Sequence, residues 1–243
     1  MRVFITGASS GIGLQLAKDY LAEGAEVIAC GRDSQKLSQA LPACNSLTRC
    51  VFDITEPAAV AAALTELPVP DLVILNAGVC EYVEDPRLLD PALFQRTIAT
   101  NFLGPVNVLA VLLPRLSMGA QVVFIGSAVT HLPLPRSEAY GASKAALDYL
   151  FSTLNIRLQQ KKIALTLVQP GFVKTPLTDR NDFPMPWLCS PEQASRLIRQ
   201  GIYRRRRIIR FPFQLHFWMR LFRLLPFVCW RWFAQKVLIR AEK

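Results

Sequence analysis

Tyr140 and Lys144 are the side chains whose types and spacing most directly suggest chemistry. On a helix, the four-residue step between them is just over one turn, so the phenol and the ammonium would project from the same face. A nearby positive charge favours the phenolate, which makes tyrosine a usable proton donor and acceptor near neutral pH. The pair therefore predicts acid/base chemistry, although an isolated pair of this kind more often forms a solvated helix face.

Short apolar runs alternate with helical patterns and predict the parallel sheet that must position this pair. Ser127 follows the fifth run, thirteen residues before Tyr140, so its hydroxyl could face the Tyr140 helix across the carboxyl edge of the sheet. Asn101 lies in a long helical pattern, where asparagine usually points to solvent or bonds the backbone. The predicted strands are Arg2 to Ile5, Glu26 to Cys30, Leu47 to Phe52, Asp71 to Leu75, Gln121 to Ile125, Ile163 to Gln169 and Ile208 to Phe211, and the long helix is Pro91 to Leu113.

A glycine-rich turn after the first strand predicts a phosphate site. Residues 6 to 13 read Thr-Gly-Ala-Ser-Ser-Gly-Ile-Gly, and backbone N–H groups with the positive end of a helix dipole attract an anion there. The spacing differs from G-x-G-x-x-G, so a plain strand-to-helix connection is the alternative. After the second strand, Arg32 suits a 2′-phosphate, which favours NADP over NAD, while Asp33 more naturally caps the next helix.

Composition sets the class of protein. A chain of 243 residues with 51% hydrophobic residues fits one α/β domain with a large core. The six cysteines show no CxxC pair and no metal-ligand spacing, and only two histidines are present, so we expect no metal site and a reducing, cytosolic setting. Met1-Arg2 leads directly into a strand, so we expect no signal peptide.

In chain order these motifs resemble the short-chain dehydrogenase/reductase family in its short, single-domain form. The matching motifs cover residues 1 to about 200 and are Thr6-Gly7-x3-Gly11-Ile12-Gly13, Asn76-Ala77-Gly78, Asn101, Ser127, Tyr140-x3-Lys144 and Pro170-Gly171. We expect a doubly wound, Rossmann-type α/β fold with about seven parallel strands in the order 3-2-1-4-5-6-7 and helices on both faces. Gly126 departs from the family pattern, since many members have a serine there, and the chain after about Gly201 is unlike the usual C terminus.

The resemblance implies a role for each catalytic residue. Tyr140 would be the general acid in reduction and the general base in oxidation, and Lys144 would lower the pKa of Tyr140 and bond the nicotinamide ribose. Ser127 would hold the substrate carbonyl, and Asn101 would position a water in the proton relay. The cofactor-binding residues that it implies are Gly7, Ser9, Ser10, Gly11, Ile12, Gly13, Arg32, Asp53, Ile54, Asn76, Ala77, Gly78, Tyr140, Lys144, Pro170, Gly171, Val173 and Thr175, with Arg32 at the 2′-phosphate and Asp53 at the adenine.

The C-terminal part of the chain carries the positive charge. From Arg196 to the end there are thirteen Lys or Arg and one acid. Phe213 to Leu225 and Phe227 to Arg240 each combine a basic stripe with an apolar, aromatic face, which is typical of a helix lying on anionic lipid. No uncharged run there is long enough to span a bilayer. Packing on the body or dimerisation is the alternative, and the apolar excess argues against nucleic acid.

We therefore predict an oxidoreductase domain over residues 1–211 and a basic, aromatic helical extension over residues 212–243. The expected protein prefers NADP(H) to NAD(H), acts on a hydrophobic carbonyl or alcohol beneath an apolar flap at residues 176–190, and forms a homo-oligomer through the helices that carry Asn101 and Tyr140. We expect it in the cytoplasm, held peripherally at the inner face of a membrane by its extension. The alternatives are a non-catalytic NADP-binding regulator or scaffold of the same fold and, for the flap, an aromatic loop packed on the body.

Overall fold

Seven strands form one parallel sheet in the computed structural model, which describes residues 1–238. The strands are β1 (Arg2–Thr6), β2 (Glu26–Gly31), β3 (Leu47–Val51), β4 (Leu72–Leu75), β5 (Gln121–Ile125), β6 (Ala164–Pro170) and β7 (Ile208–Phe211). Their order, β3-β2-β1-β4-β5-β6-β7, confirms the predicted order. Because the pairings are parallel, the strands end at one common edge, where a ligand of a doubly wound sheet binds.

Helices cover both faces of this sheet. Their bounds are α1 (Gly11–Ala22), α2 (Ser34–Ala40), α3 (Pro57–Leu64), α4 (Pro91–Ile98), α5 (Gly104–Leu112), α6 (Glu138–Leu158), α7 (Pro191–Tyr203), α8 (Phe213–Arg223) and α9 (Phe227–Phe233). Two helices begin with side-chain caps. Asp33 accepts the N–H of Lys36 at the start of α2, as predicted, and Ser190 forms a capping box with Gln193 at the start of α7.

Successive side chains of each strand point to opposite faces of the sheet, so the core has two layers. Val3 and Ile5 face one layer, and Phe4, which lies between them, faces the other. Side chains of α1 and α7 close the first layer, and side chains of α3, α5 and α6 close the second. Because both faces are covered, β4 and β5 are apolar and buried along nearly their whole length.

The predicted helix from Pro91 to Leu113 is interrupted at its centre. α4 passes into a π-helical segment, Ala99–Leu103, before α5 begins. By length and composition alone, Pro91–Arg115 is the one helix in the described part of the chain that could cross a membrane. Here it packs against α3 and α6 in the second core layer. Single π-helical turns inside α-helices occur frequently at functional sites.

The C-terminal extension folds back onto the body. Met219 and Trp230 join a small apolar cluster with residues that follow β5. Trp230 Nε1 donates to the carbonyl of Pro133 at 3.0 Å. His131 Nε2 and His216 Nδ1 are 3.0 Å apart in a buried contact. One face of the extension therefore packs on the loop that carries Ser127.

A second face of the extension is apolar and exposed. Its large side chains, each between 43% and 82% exposed, are Phe213, Phe217, Trp218, Leu221, Leu224, Leu225, Phe227, Val228 and Trp232. After α9 the chain continues as a π-helical segment, Ala234–Leu238. The end of the predicted helical pattern at Arg240, and with it residues 239–243 of the predicted extension, lie outside the described residues. The domain boundary after residue 211 stays a prediction.

Candidate active site

A cleft of about 610 Å³ opens at the carboxyl edge of the sheet. Every residue predicted for the site lines this cleft except Gly13 and Asn101. The predicted lining residues are Gly7, Ser9, Ser10, Gly11, Ile12, Arg32, Asp53, Ile54, Asn76, Ala77, Gly78, Ser127, Tyr140, Lys144, Pro170, Gly171, Val173 and Thr175. Residues that were distant in the sequence thus meet in one elongated space.

Close backbone packing shapes the glycine-rich turn. Gly7 has a φ of +66°, and a Cβ there would lie 2.9 Å from Cα of Ala77. A Cβ on Gly13 would collide with the carbonyl of Gly7 and the side-chain amide of Asn76. Gly13 therefore packs against the turn on the side away from the cleft. It does not line the cleft, although the resemblance implied that it binds the cofactor. Thr6 Oγ1 accepts the N–H groups of Asn76 and Ala77 at 2.9 and 3.0 Å, which ties β1 to β4.

The first turn of α1 keeps its backbone donors available. Ser10 is the N-cap, its side chain makes no capping hydrogen bond, and the first turn contains no acid. The N–H groups that open a helix lack partners within the helix, and the helix dipole adds positive potential. A cradle of N–H groups beside glycines fits the pyrophosphate of a dinucleotide.

Arg32 and Lys36 form a basic end of the cleft. Arg32 is exposed, whereas Asp33 Oδ1 accepts the N–H of Lys36 at 3.0 Å and so caps α2. Hydrogen bonds from Thr55 hold the pKa of Asp53 below its usual range, with a smaller contribution from Arg32. Lys36 was not predicted, although a second basic residue so soon after Arg32 in the sequence was a usable signal.

Ser127, Tyr140 and Lys144 meet at the opposite end of the cleft. The Ser127 hydroxyl lies near enough to the Tyr140 phenol to act on its pKa, and its oxygen accepts the N–H of Val129 at 3.2 Å. Lys144 Nζ donates to the carbonyl of Ile125 at 2.9 Å and lies 5.8 Å from the centre of the Tyr140 ring. The structure thus brings together the hydroxyl, phenol and amine that the sequence spacing grouped.

Burial dominates the electrostatics of this end. It lowers the pKa of Lys144 to about 8, against the attraction of Asp148 and Cys80. Burial also raises the pKa of Tyr140 above its ordinary value. Cys80 adds to this rise and the Ser127 hydroxyl opposes it. Burial therefore sets the direction of the Tyr140 pKa in this structure, and the lowering of that pKa by Lys144 stays a prediction.

Asn101 lies behind the wall of the cleft and is fully buried. Its Oδ1 accepts the N–H of Val79 at 2.8 Å, and its Nδ2 donates to the Val79 carbonyl and to Ser143 Oγ, both at 2.9 Å. The side chain therefore joins the loop after β4 to α6, and its implied contact with a relay water stays a prediction. Its neighbour Thr100 lines the cleft and was missed, since nothing in the sequence marked the π-helical turn.

Residues 176 to 190 form a wall beside the catalytic end. Phe183 packs edge to face on Tyr82, with ring centres 5.8 Å apart. Arg136 pairs with Asp182 at 2.8 Å. These contacts correspond to the alternative of an aromatic loop packed on the body. The cleft-lining residues of this segment are Pro176, Leu177 and Thr178.

The comparisons with known proteins agree with this geometry. The family model for short chain dehydrogenases matches residues 1–183. The chain belongs to the short-chain dehydrogenase/reductase family. An uncharacterized oxidoreductase of Myxococcus xanthus is 32% identical over 232 residues, which cover 91% of each protein.

Two further similarities qualify what this short-chain dehydrogenase/reductase shares with its relatives. Dehydrogenase/reductase SDR family member 7B of Bos taurus is 34% identical over 192 residues, which cover 72% of this chain and 59% of that protein. The chain therefore spans less than two thirds of the length of that relative. A short-chain dehydrogenase from Sphingobium yanoikuyae, solved in complex with NADPH, has a TM-score of 0.77 and 26% identity and covers 87% of this chain and 88% of its own.

The relatives of this short-chain dehydrogenase/reductase are named as oxidoreductases, and the Sphingobium yanoikuyae neighbour was solved with a nicotinamide cofactor. The residues present fit that cofactor class. A cradle of glycines and helix N–H groups lies at the centre of the cleft, an exposed arginine at one end and a hydroxyl, phenol and amine at the other.

Proposed function

We propose that this short-chain dehydrogenase/reductase transfers a hydride between NADP(H) and a hydrophobic carbonyl or alcohol substrate. One observation carries the proposal. Ser127, Tyr140 and Lys144 converge at one end of a cleft that holds Arg32 at its other end. The bound nicotinamide supplies or accepts the hydride.

Tyr140 gives a proton to the substrate oxygen in reduction and removes it in oxidation. The Ser127 hydroxyl lies beside the same phenol, so a carbonyl oxygen can lie between two donors that stabilise its developing negative charge. Burial keeps Tyr140 protonated, which suits a proton donor in reduction. The ammonium of Lys144 then favours the phenolate that proton transfer leaves.

Lys144 has a second role at the nicotinamide ribose. Its bond to Ile125 O uses one of three N–H donors. A Cβ on Gly78 would lie 3.5 Å from Lys144 Nζ, so glycine at this position leaves the space beside the ammonium open. A ribose hydroxyl in that space can accept a second hydrogen bond from Lys144. Asn101 is proposed to position a relay water through the π-helical turn that it anchors.

The preference for NADP(H) over NAD(H) rests on the basic end of the cleft. The exposed guanidinium of Arg32 can pair with a 2′-phosphate, and Lys36 lines the same end. Asp33, the acid that could instead bind a 2′-hydroxyl, is engaged as the cap of α2.

The hydrophobic substrate is inferred from the walls around Tyr140. Val79 and Leu177 line the cleft, and Phe183 with Tyr82 forms an aromatic contact in the neighbouring wall. Gly171 joins the cleft to the extension, because a Cβ there would lie 2.9 Å from Cδ of Pro212. These apolar walls favour a ketone, aldehyde or alcohol with a large hydrocarbon part.

A turnover assay with the full chain tests this function. We expect NADPH oxidation with hydrophobic ketones and aldehydes, and poor turnover with NADH. Tyr140→Phe should bind NADPH as the wild type does and lose about 10²- to 10⁴-fold in kcat. Full activity of this variant would contradict the mechanism. Tight NADPH binding without turnover of any carbonyl by the wild type would instead support the non-catalytic regulator.

The extension is proposed to lie on an anionic membrane surface. Phe213, Phe217 and Trp218 form a continuous exposed surface, with successive ring centres 6.0 and 5.5 Å apart. The described part of the extension, residues 212–238, contains four Lys or Arg and no acid. Aromatic area combined with basic charge is the chemistry of an interfacial helix. Such binding would place the protein at the cytoplasmic face of a membrane.

Vesicle sedimentation tests this surface. The wild type should sediment with vesicles that contain phosphatidylserine and less with phosphatidylcholine alone. Trp218→Ser should weaken sedimentation, whereas Leu88→Ser, which alters a loop residue that is 75% exposed, serves as the matched control. Wild-type protein that stays in the supernatant with both vesicles would exclude the membrane surface.

A homo-oligomer is proposed to form through α5 and α6. An apolar groove of about 720 Å³ lies between these helices and is lined by residues such as Leu113 and Leu154. Tyr149 and Ile156 on α6 are more than 70% exposed. A two-fold axis would cover the same apolar surface on both copies. Light scattering should show a dimer or tetramer, and a monomer at micromolar concentration would contradict the proposal.

A further inference from the structure

Asp148 lies one helical turn after Lys144 on α6 and has no part in the mechanism above. Its Oδ2 accepts the hydroxyl of Thr130 at 2.7 Å and the side-chain amide of Gln169 at 2.8 Å. Its Oδ1 is buried and has no hydrogen-bond partner among residues 1–238. Burying a carboxylate oxygen without a partner is unfavourable, so the position of this carboxylate requires an explanation.

Asp148 holds the turn that begins at Ser127. Thr130 belongs to the 3₁₀ turn Ala128–His131, whose N-cap is Ser127. The Thr130 hydroxyl oxygen lies 2.7 Å from Asp148 Oδ2 and 3.1 Å from the Ser127 carbonyl oxygen. Its single proton is therefore shared between these two acceptors. Gln169 Nε2 lies 3.2 Å from the Thr130 hydroxyl as well as 2.8 Å from the carboxylate. The carboxylate therefore fixes the turn from which Ser127 reaches the phenol.

Gly126 makes room for this carboxylate. A Cβ on Gly126 would lie 3.0 Å from Asp148 Oδ1 and 3.1 Å from the carbonyl of Val168. Residue 126 is also the position where the sequence departs from the serine of the family pattern. The missing side chain and the buried carboxylate thus occupy neighbouring space.

Asp148 is also the carboxylate that acts on the Lys144 ammonium. The other ionisable groups that face Lys144 are Tyr140 on the same helix and Cys80 on the loop after β4. Of the charges that favour the ammonium, Asp148 contributes most. On its far side Asp148 faces Arg210 of β7, which donates to Gln169 Oε1 at 2.8 Å.

We propose that Asp148 is a positioning residue for the reaction, which keeps Lys144 in its ammonium form and fixes the turn that carries Ser127. This inference rests on the proposed function. Asp148 acts through these two residues and lies outside the cleft lining. Its carboxylate compensates part of the burial that disfavours a charged Lys144.

Three variants separate charge from hydrogen bonding. Asp148→Asn keeps the shape and removes the charge, so the pKa of Lys144 should fall further below its value of about 8. The alkaline limb of kcat for NADPH-dependent reduction should then move to lower pH by about one unit, with about a fivefold loss of kcat at the wild-type midpoint. Thr130→Val removes the hydrogen bond to Asp148 but keeps the charge of the carboxylate. It should therefore lower kcat without moving the alkaline limb of the pH profile. Glu138→Gln removes an exposed carboxylate from the same helix and should leave both unchanged.

The decisive readout is the pH profile of kcat. A folded Asp148→Asn variant with an unmoved alkaline limb would overturn the inference. If that variant does not fold, Asp148→Ser, which also removes the charge, should move the limb in the same direction, and an unmoved limb there would have the same meaning. A wild type without turnover would refute the proposed function instead. The pH dependence of NADPH binding, followed by fluorescence, would then decide the role of Asp148, because the Lys144 ammonium is proposed to bond the ribose. An unchanged binding profile in Asp148→Asn would overturn the inference.

Discussion

At the end of the cleft proposed to bind adenosine, Arg32 is exposed, whereas at the end proposed for catalysis Lys144 is only 4% exposed. Water surrounds the first cation, and burial lowers the pKa of the second to about 8. Phosphate recognition can rely on a solvated charge and backbone donors, because a phosphate brings its own strong charge. Proton transfer needs groups whose pKa values have been moved by their surroundings. The contrast predicts different responses to mutation at the two ends.

Lys144→Met should give the largest effect and separate function from stability. Turnover should fall about 10²- to 10⁴-fold, since proton transfer loses its cation. The free energy of unfolding at neutral pH should rise by about 2 kcal/mol, because a buried ammonium held against desolvation is replaced by an apolar chain of similar length. Kinetics and denaturant unfolding measure the two effects.

Lys174 supplies the control for this variant. It is exposed, so Lys174→Met should change neither turnover nor unfolding by a comparable amount. A less stable Lys144→Met variant would show that the contacts of the ammonium outweigh the cost of burying it at the catalytic end.

Arg32→Ala should act on binding and leave chemistry intact. The loss of a charge-assisted contact predicts about 10- to 100-fold weaker NADPH binding, with NADH binding unchanged. Isothermal titration with both nucleotides measures this difference, and kcat at saturating NADPH should stay near the wild-type value. Equal weakening of NADPH and NADH would contradict the assignment of Arg32 to the 2′-phosphate.

Gly13→Ala should disturb the glycine-rich turn at the centre of the cleft, although Gly13 itself does not line the cleft. The added Cβ meets the Gly7 carbonyl and the Asn76 amide, so the free energy of unfolding should fall by about 1 to 3 kcal/mol and NADPH binding should weaken. Thermal unfolding with and without NADPH measures both. Gly141→Ala is the matched control, because the nearest atom to its Cβ would be 3.8 Å away. Equal stability of the two variants would contradict the packing role of Gly13.

Ser10→Ala should give the smallest effect. Its side chain makes no capping hydrogen bond, so the free energy of unfolding should hardly change, whereas Asp33→Ala removes a cap bond at α2 and should cost about 1 kcal/mol. Chemical denaturation compares the two variants. A stability loss as large in Ser10→Ala as in Asp33→Ala would show that Ser10 acts as a structural cap after all.

Much of the fold followed from local patterns. Most strands are short apolar runs, and such runs alternating with helical patterns are typical of a parallel sheet covered by helices. The gathering of Ser127, Tyr140 and Lys144 at one edge could therefore be predicted, whereas the order of the strands followed from the family resemblance.

Properties that depend on tertiary contacts could not be predicted. In the sequence, Asn101 is a polar residue in the middle of a helical pattern. Its three hydrogen bonds depend on the π-helical turn and on the neighbouring elements, which the sequence does not indicate. The rise in the pKa of Tyr140 depends on burial, which no spacing reveals. The sequence pattern of the extension also did not show which of its aromatic residues are buried and which are exposed. Only the structure shows that Trp230 packs on the body and donates a hydrogen bond to the Pro133 carbonyl.

The most direct test is a crystal structure of the full chain with NADPH. The nicotinamide should lie between Tyr140 and Lys144 on one side and Pro170-Gly171 on the other, with the 2′-phosphate on Arg32 and the pyrophosphate at the first turn of α1. A nucleotide bound elsewhere, or a Tyr140 phenol separated from both Ser127 and the nicotinamide, would contradict the proposed enzyme.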